Sequence, residues 1–359
     1  MRVFQIVILL VLSVALTADE QPVNVRAWWS PPSQKFEWPE MEYPEIARKL
    51  SSAISFSGGG SRSFAATLGY LRGLKDIGAL DKPRYITGVS GGNWAVAVYS
   101  FRQNGADDDT LLGTYTEPSD ITLESIAEIA DGCALNATTY DIWPPLIKAV
   151  ATGWVTYDWE NCGEVWLDLI WDSYLKPFGI PYDAVMMYDE QQADSFTARN
   201  SNMSGDFSFI TPLNISSRPY PILGVTLVGP ASLSPFPLKE RGYTFLEATP
   251  LYVGEMHAQN ITFRNDCVLG RKCRNQTVLI GGLIESPGFG GGALKGGNKG
   301  YIPGNSSTLN LTISKLFTLR EAVALSSLAP SAFVSSFTPL SSEWLPKCVN
   351  ASSVSGRRR

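Results

Sequence analysis

Residues 54–74 read ISFSGGGSRSFAATLGYLRGL, and residues 85–101 read YITGVSGGNWAVAVYSF. Each stretch is a short apolar run, then a glycine-rich turn, then apolar residues at helical spacing. In the first, Ala53 to Ser57 predicts a short buried strand. Phe64, Leu68, Leu71 and Leu74 predict a helix that Gly78 can end. In the second, Tyr85 to Val89 predicts a strand and Asn93 to Phe101 a helix. Strand, helix, strand over this length is a βαβ unit, with parallel strands and a right-handed crossover. The loops SGGGSR and SGGN then share the carboxyl edge of one sheet, where α/β proteins place ligands.

The heptapeptide GVSGGNW, Gly88 to Trp94, fits a nucleophile elbow: a serine between glycines, on a turn too sharp for most side chains. Ser90 would project at a helix N-terminus, where backbone N–H groups and the macrodipole favour developing negative charge. A tight turn with a serine cap would show the same pentapeptide, so the first loop matters. A run of glycines exposes backbone N–H groups without side chains in the way, as an oxyanion requires. A P-loop would need a Gly-Lys-Ser/Thr ending, and here Ser61-Arg62-Ser63 follows the glycines. Arg62 can fork onto a phosphate or carboxylate with two hydrogen bonds; as a plain surface arginine it would oppose the helix dipole.

The single histidine, His257, lies beside the glycan acceptor Asn260, which argues for a surface position and against a Ser-His-Asp triad. A Ser-Asp dyad is the expectation instead, with an aspartate taking the serine proton directly.

At 359 residues with 44% hydrophobic and 18% charged side chains, the chain can bury a large core. The formal charge of −5, with no basic block before Arg357-Arg358-Arg359, gives no sign of a nucleic-acid surface. Arg2, the apolar Val3 to Leu16 and small residues up to Ala18 form a signal-peptide layout, with an apolar stretch too short for a spanning helix. Asn-x-Ser/Thr acceptors at Asn136, Asn202, Asn214, Asn260, Asn275, Asn305, Asn310 and Asn350 point the same way. The expected setting is extracellular or the lumen of the secretory pathway. There Cys133, Cys162, Cys267, Cys273 and Cys348 are pairing candidates, Cys267 and Cys273 close enough for a small loop, with one left over. With one histidine and no Cys-x-x-Cys, neither a zinc site nor any cofactor is expected.

The organisation read from the chain is a signal peptide at 1–18, a Trp/Pro-rich N-terminal strap at 19–47, a catalytic domain at 48–346 and a tail at 347–359. The strap should pack on the domain; membrane contact through Trp28 and Trp29 is the lesser alternative. Ile126 to Ala130, Trp143 to Trp154 and Val165 to Leu175 read as helices, Ile222 to Val228 and Val278 to Ile280 as strands. GGLIESPGFGGGALKGGNKG, from residue 281, reads as loop; its Gly288, Gly290 and Ala293 are discounted as a dinucleotide fingerprint.

SFSGGGSR together with GVSGGNW resembles the catalytic domain shared by cytosolic phospholipase A2 and the lysophospholipase (phospholipase B) group, relatives of the patatin-like acyl hydrolases. GYTFLEATPLYVGE at 242–255 and LREAVALSSLAPSAF at 319–333 extend the resemblance over roughly residues 48–335. It implies an α/β fold of three layers, a sheet with helices on both faces, incomplete at the C-terminus. It implies Ser90 as nucleophile, Gly59 and Gly60 as oxyanion donors, and Arg62 as phosphate or oxyanion clamp. The substrate class would be the fatty acyl esters of phospholipids or lysophospholipids at a membrane or micelle surface. Cytosolic members often carry a calcium-binding docking module; only the strap precedes the first strand here, so no such module and no calcium requirement are expected. The family's aspartate, in an Asp-Gly or Asp-Ser-Gly setting, has no match: no aspartate follows Asp266, and Asp131-Gly132 comes too early. The expectation is a chain truncated before an aspartate beyond Arg359, because the elbow, glycine loop and arginine are all intact. The alternatives are a catalytically silent lipid-binding or storage glycoprotein, and a patatin-like neutral lipid acyl hydrolase.

Overall fold

The two glycine turns each sit between a strand and a helix, and they organise everything around them. The computed structural model describes residues 21–28, 36–141, 162–203, 207–228, 243–264, 275–290 and 307–327, with isolated positions at 144, 147, 205, 292 and 293. In chain order the strands are β1 (Gln21–Trp28), β2 (Leu50–Phe56), β3 (Pro83–Val89), β4 (Ala184–Met186), β5 (Ser208–Ile210), β6 (Tyr220–Val228), β7 (Tyr243–Ala248), β8 (Tyr252–Arg264), β9 (Asn275–Glu285), β10 (Gly292–Ala293) and β11 (Ser307–Ile313). The longer helices are α1 (Ser61–Asp76), α2 (Gly91–Phe101), α3 (Cys162–Ile170), α4 (Glu190–Arg199) and α5 (Leu319–Leu325).

Among the described residues nine strands form one sheet in the order β10-β11-β1-β9-β8-β7-β6-β3-β2, while β4 and β5 pair separately. The expected βαβ unit is present: β2 runs parallel to β3, with Ile54 opposite Ile86 and Phe56 opposite Gly88. β6 joins β3 in parallel, Val89 opposite Gly224, and the rest of the sheet is antiparallel. The result is a mixed α/β fold with a large central sheet.

α1 buries Phe64, Thr67, Leu68 and Leu71 on one stripe, and the chain turns at Gly78 with φ 65°. α2 is buried on all sides, as a helix apolar all round should be. Its Trp94, Val96 and Val98 share a core with Phe56, Phe64, Leu71, Tyr174, Leu319 and Val323.

Four expectations need correction. β2 is not buried as a whole: Leu50 is 63% exposed, residues 51–53 and Ser55 are exposed, Ile54 is half-buried and only Phe56 is fully covered, on a strand that is the last of the sheet among the described residues. Gln21–Trp28 is not a strap lying on the sheet but a strand inside it, with Val23, Val25 and Ala27 buried at period two between β11 and β9. Residues 36–48 do pack as expected: Trp38 lies 6.1 Å from Tyr252 and Tyr43 4.0 Å from Tyr188, ring to ring. Trp28 is 4% exposed, so it supports this packing and not a membrane; Trp29 lies outside the described residues.

The third correction is the segment from Gly281, where Gly281 to Glu285 finish β9 before a short turn at Ser286–Gly288. Its apolar Leu283 and Ile284 are strand residues opposite Gly254 and Val253. The fourth is Ile126 to Ala130: the helical turn is Leu123–Ala127, capped by Thr122 and Ser125. The predicted β6 and β9 strands and the Val165 helix are found, the last continuing into a π-turn at Trp171–Leu175; Trp143 to Trp154 lies almost wholly outside the described residues.

Candidate active site

β3 ends at Val89 and α2 begins at Gly91, leaving one residue for the turn. Ser90 takes that position with φ 52° and ψ −127°, a region that side-chain-bearing residues rarely occupy. Apart from Asn214 it is the only non-glycine residue with positive φ among the described residues. Such strain persists where surrounding contacts over-determine it, and here they do.

Close backbone approach explains the flanking glycines. A Cβ at Gly91 would stand 2.1 Å from the Gly60 carbonyl oxygen, and one at Gly92 2.8 Å from that of Phe56. The first glycine turn is thus pressed against the second. A Cβ at Gly58 would meet the Ser90 Cβ at 2.9 Å and its Oγ at 3.6 Å. Gly58, absent from the sequence-derived site, is therefore the glycine that borders the serine side chain, while Gly59 (φ 149°) and Gly60 (φ 64°) carry the turn into α1. Ser63 donates from Oγ to the Ser57 carbonyl and closes the turn from below. Arg62, on the first turn of α1, is exposed and has no hydrogen-bond or ion-pair partner among the described residues.

The elbow is also held from the far end of the chain. The Ser90 N–H donates to Ser326 Oγ at 2.8 Å, and Ser326 Oγ donates to the Gly224 carbonyl at 2.5 Å. Asn93 Nδ2 donates to the same carbonyl at 3.0 Å, and Trp94 Nε1 donates to Ser327 Oγ at 3.1 Å. Removing one partner of a buried pair leaves the other unsatisfied at a cost of about 1–3 kcal/mol. Ser326→Ala is accordingly expected to lower stability by that amount in urea unfolding, with Ser327→Ala smaller because its hydroxyl also satisfies itself on the Val323 and Ala324 carbonyls. The Ser90 N–H is committed to this clamp.

No aspartate meets the Ser90 hydroxyl among the described residues, where that hydroxyl has no partner. Asp131 is exposed, and its neighbour Gly132 packs toward Thr110. Asp266 lies outside the described residues, and so does the side chain of His257, whose backbone is in β8. By register the carboxylate across the sheet from the elbow is Glu247, opposite Gly224, which is opposite Val89. Sequence reasoning missed Ser326, Ser327, Ser61 and Tyr174. Only the resemblance of residues 319–333 pointed near any of them.

Of the cysteines, Cys133 is buried with no disulfide partner among the described residues; Cys267, Cys273, Cys348 and the side chain of Cys162 lie outside them, so the expected pairing falls outside the described residues. No group of three or more His, Cys, Asp or Glu suited to a metal is found among the described residues, and no helix there is long and apolar enough to cross a membrane.

Both glycine turns fall within the part of the chain that matches a known family. The family model Patatin-like phospholipase matches residues 54–131, which hold both glycine turns, β2, α1, β3 and α2. Human cytosolic phospholipase A2 beta is 51% identical over 45 residues, and mouse cytosolic phospholipase A2 gamma 49% identical over 45. That segment is 12% of this chain and only 6% and 8% of those relatives. A solved structure of human GIVD cytosolic phospholipase A2, with methyl gamma-linolenyl fluorophosphonate and terbium chloride, matches 58% of this chain and 24% of that one. That match is 18% identical in sequence, with a TM-score of 0.26. Residues 54–131, with the two glycine turns they contain, are thus similar to the patatin-like phospholipases, and a 45-residue stretch of the chain is similar to the cytosolic phospholipases A2.

Proposed function

We propose that the chain is a secreted serine acyl hydrolase acting on fatty acyl esters of phospholipids or lysophospholipids. Ser90 attacks the ester carbonyl, the Gly59 and Gly60 amides receive the oxyanion, and Arg62 takes the phosphate. The carrying observation is the strained Ser90 with the Gly58–Gly60 turn packed on it, so that nucleophile and amide donors share one sheet edge. An acyl-Ser90 intermediate follows, released by water. An aspartate completes the dyad as base; its position is not among the described residues.

Secretion rests on the N-terminal layout and the glycan acceptors. Asn202 and Asn214 are exposed in turns and suit modification, whereas the Asn310 amide already donates to Asn24 Oδ1 at 2.7 Å. The exposed, unpartnered Arg62 favours a phosphate-bearing lipid over a neutral one, since a free guanidinium has both edges open for a bidentate bond.

The test is acyl release from phosphatidylcholine and lysophosphatidylcholine micelles by the secreted gene product, with Ser90→Ala and Arg62→Ala. Ser90→Ala should remove activity and fluorophosphonate labelling. Arg62→Ala should slow phospholipid turnover at least about tenfold while sparing a neutral ester, the loss expected for a charge-assisted pair. Unchanged rates in both variants would sink the assignment, and equal losses on both substrates would favour the neutral lipid hydrolase. The unpartnered Ser90 hydroxyl gives a second reading its one support: a silent lipid-binding glycoprotein, whose Ser90 would not label.

A further inference from the structure

We infer that Tyr174 is the positioning residue of the glycine turn, fixing through Ser61 the direction in which the Gly58–Gly60 amides point. The inference rests on the acyl-hydrolase reading of Ser90. α3 ends at Ile170, and the chain continues as a π-turn over Trp171–Leu175, a rare geometry that is frequent at functional sites. The widened turn carries Tyr174, which is fully buried.

The Tyr174 ring lies 4.3 Å from Trp94 in a tilted stack and 5.0 Å from Phe64 edge to face. Trp94 stands four residues after Ser90, and Phe64 four residues after Gly60. The ring is therefore wedged between the first turns of the two helices that begin at the serine and at the glycine turn. Its hydroxyl reaches the Ser61 Oγ at 2.6 Å, on the residue directly after Gly60. One side chain thus touches both halves of the site, without reaching a substrate.

Glycines give amides access but no stiffness, and an oxyanion gains from donors held to a few tenths of an ångström. Gly60, the cap residue of α1, has no side-chain cap of its own, so beside the Ser63 bond to the Ser57 carbonyl the Ser61–Tyr174 bond supplies a fixed point from the core. Burial raises the phenol pKa, outweighing the Ser61 bond that lowers it, so Tyr174 keeps its proton and serves as a tether only.

The experiment uses the full chain with Tyr174→Phe, which keeps both ring contacts, with Ser61→Ala, and with the pair combined. Two readouts are taken: the rate of Ser90 labelling by a fluorophosphonate with kcat and KM for ester release, and hydrogen exchange of peptides spanning residues 57–64. Each single variant should slow labelling and kcat on the order of tenfold at unchanged KM, the scale expected when donors lose alignment. The double variant should be no slower than the slower single, exchange over 57–64 should quicken in all three, and Ser61→Thr should restore both readouts. Wild-type rates and exchange in Tyr174→Phe, or effects that add in the double variant, would overturn the tether. A wild-type chain that does not label would defeat the acyl-hydrolase reading instead; exchange then decides alone, quickened supporting the tether and unchanged overturning it.

Discussion

Gly91→Ala is expected to abolish Ser90 labelling and to destabilise the chain by at least about 3 kcal/mol, the upper end for overpacking a filled site. The reason is local and geometric. The new methyl would stand 2.1 Å from the Gly60 carbonyl oxygen and 2.8 Å from its carbon, and both are backbone atoms with no rotamer to change. Relief must come from moving the glycine turn off the elbow, which separates the proposed oxyanion donors from the proposed nucleophile. Loss of such donors costs on the order of 100-fold or more in rate. Gly73→Ala is the matched control: it lies on α1 with nothing within 4 Å of the added Cβ. It should be stabilising by about 0.4–1 kcal/mol, through reduced freedom of the unfolded chain, with labelling unchanged. Urea unfolding and labelling of both variants decide the matter. A Gly91→Ala chain that labels at the wild-type rate would mean that the two turns need not touch for chemistry.

The difference between those two glycines also marks what a sequence can disclose. The turns at Gly58–Gly60 and Gly88–Gly92 were legible because their steric demands fall on neighbours within one strand-turn-helix unit, and the spacing of Phe64, Leu68 and Leu71 fixed the helix between them. Ser326 and Tyr174 were not, since they reach their partners across 236 and 113 residues of chain. Nothing in a hydroxyl or a phenol announces such a partner. The burial of β2 was misjudged for a related reason: apolar residues show that a strand forms, whereas its place at the end of the sheet depends on which strands pair. β1 was missed as a strand because the tryptophans and prolines that follow Trp28 masked the alternation of Val23, Val25 and Ala27 before them.

Glu247→Gln is expected to stabilise the chain at pH 8 by up to about 3 kcal/mol and to be near neutral at pH 4.5. Glu247 faces a buried acidic and phenolic cluster beneath residues 36–48. Glu40 is 1% exposed; its Oε1 accepts from the Tyr85 hydroxyl at 2.9 Å and its Oε2 has no partner. Tyr252 donates to Glu247 Oε2 at 3.3 Å. Burial, then the charges of Glu40 and Glu255, push Glu247 up to about 7, against the Tyr252 bond that lowers it. Burial likewise raises Glu40, with a backbone hydrogen bond, the Tyr85 bond and the Arg84 charge opposing it. Burial keeps the Tyr85, Tyr220 and Tyr252 phenols protonated, so they donate throughout. A carboxyl raised from 4.5 to about 7 in the folded state holds its proton longer there than in the unfolded chain. Its contribution is complete below pH 4.5 and is lost as pH rises through 7. Glutamine keeps the shape and cannot ionise, so the gap between variant and wild type should open across that window and vanish below it. Glu40→Gln should recover part of the same gain, and the two should not add, because the Glu40 charge is one cause of the Glu247 shift. Urea midpoints at pH 4.5, 6 and 8 test this directly, and a gap independent of pH would show that Glu247 titrates alike in the folded and unfolded chains. Glu247 stands opposite Gly224, whose carbonyl holds Ser326 and Asn93, so the titrating carboxyl lies on the strand paired with the one that clamps the Ser90 elbow.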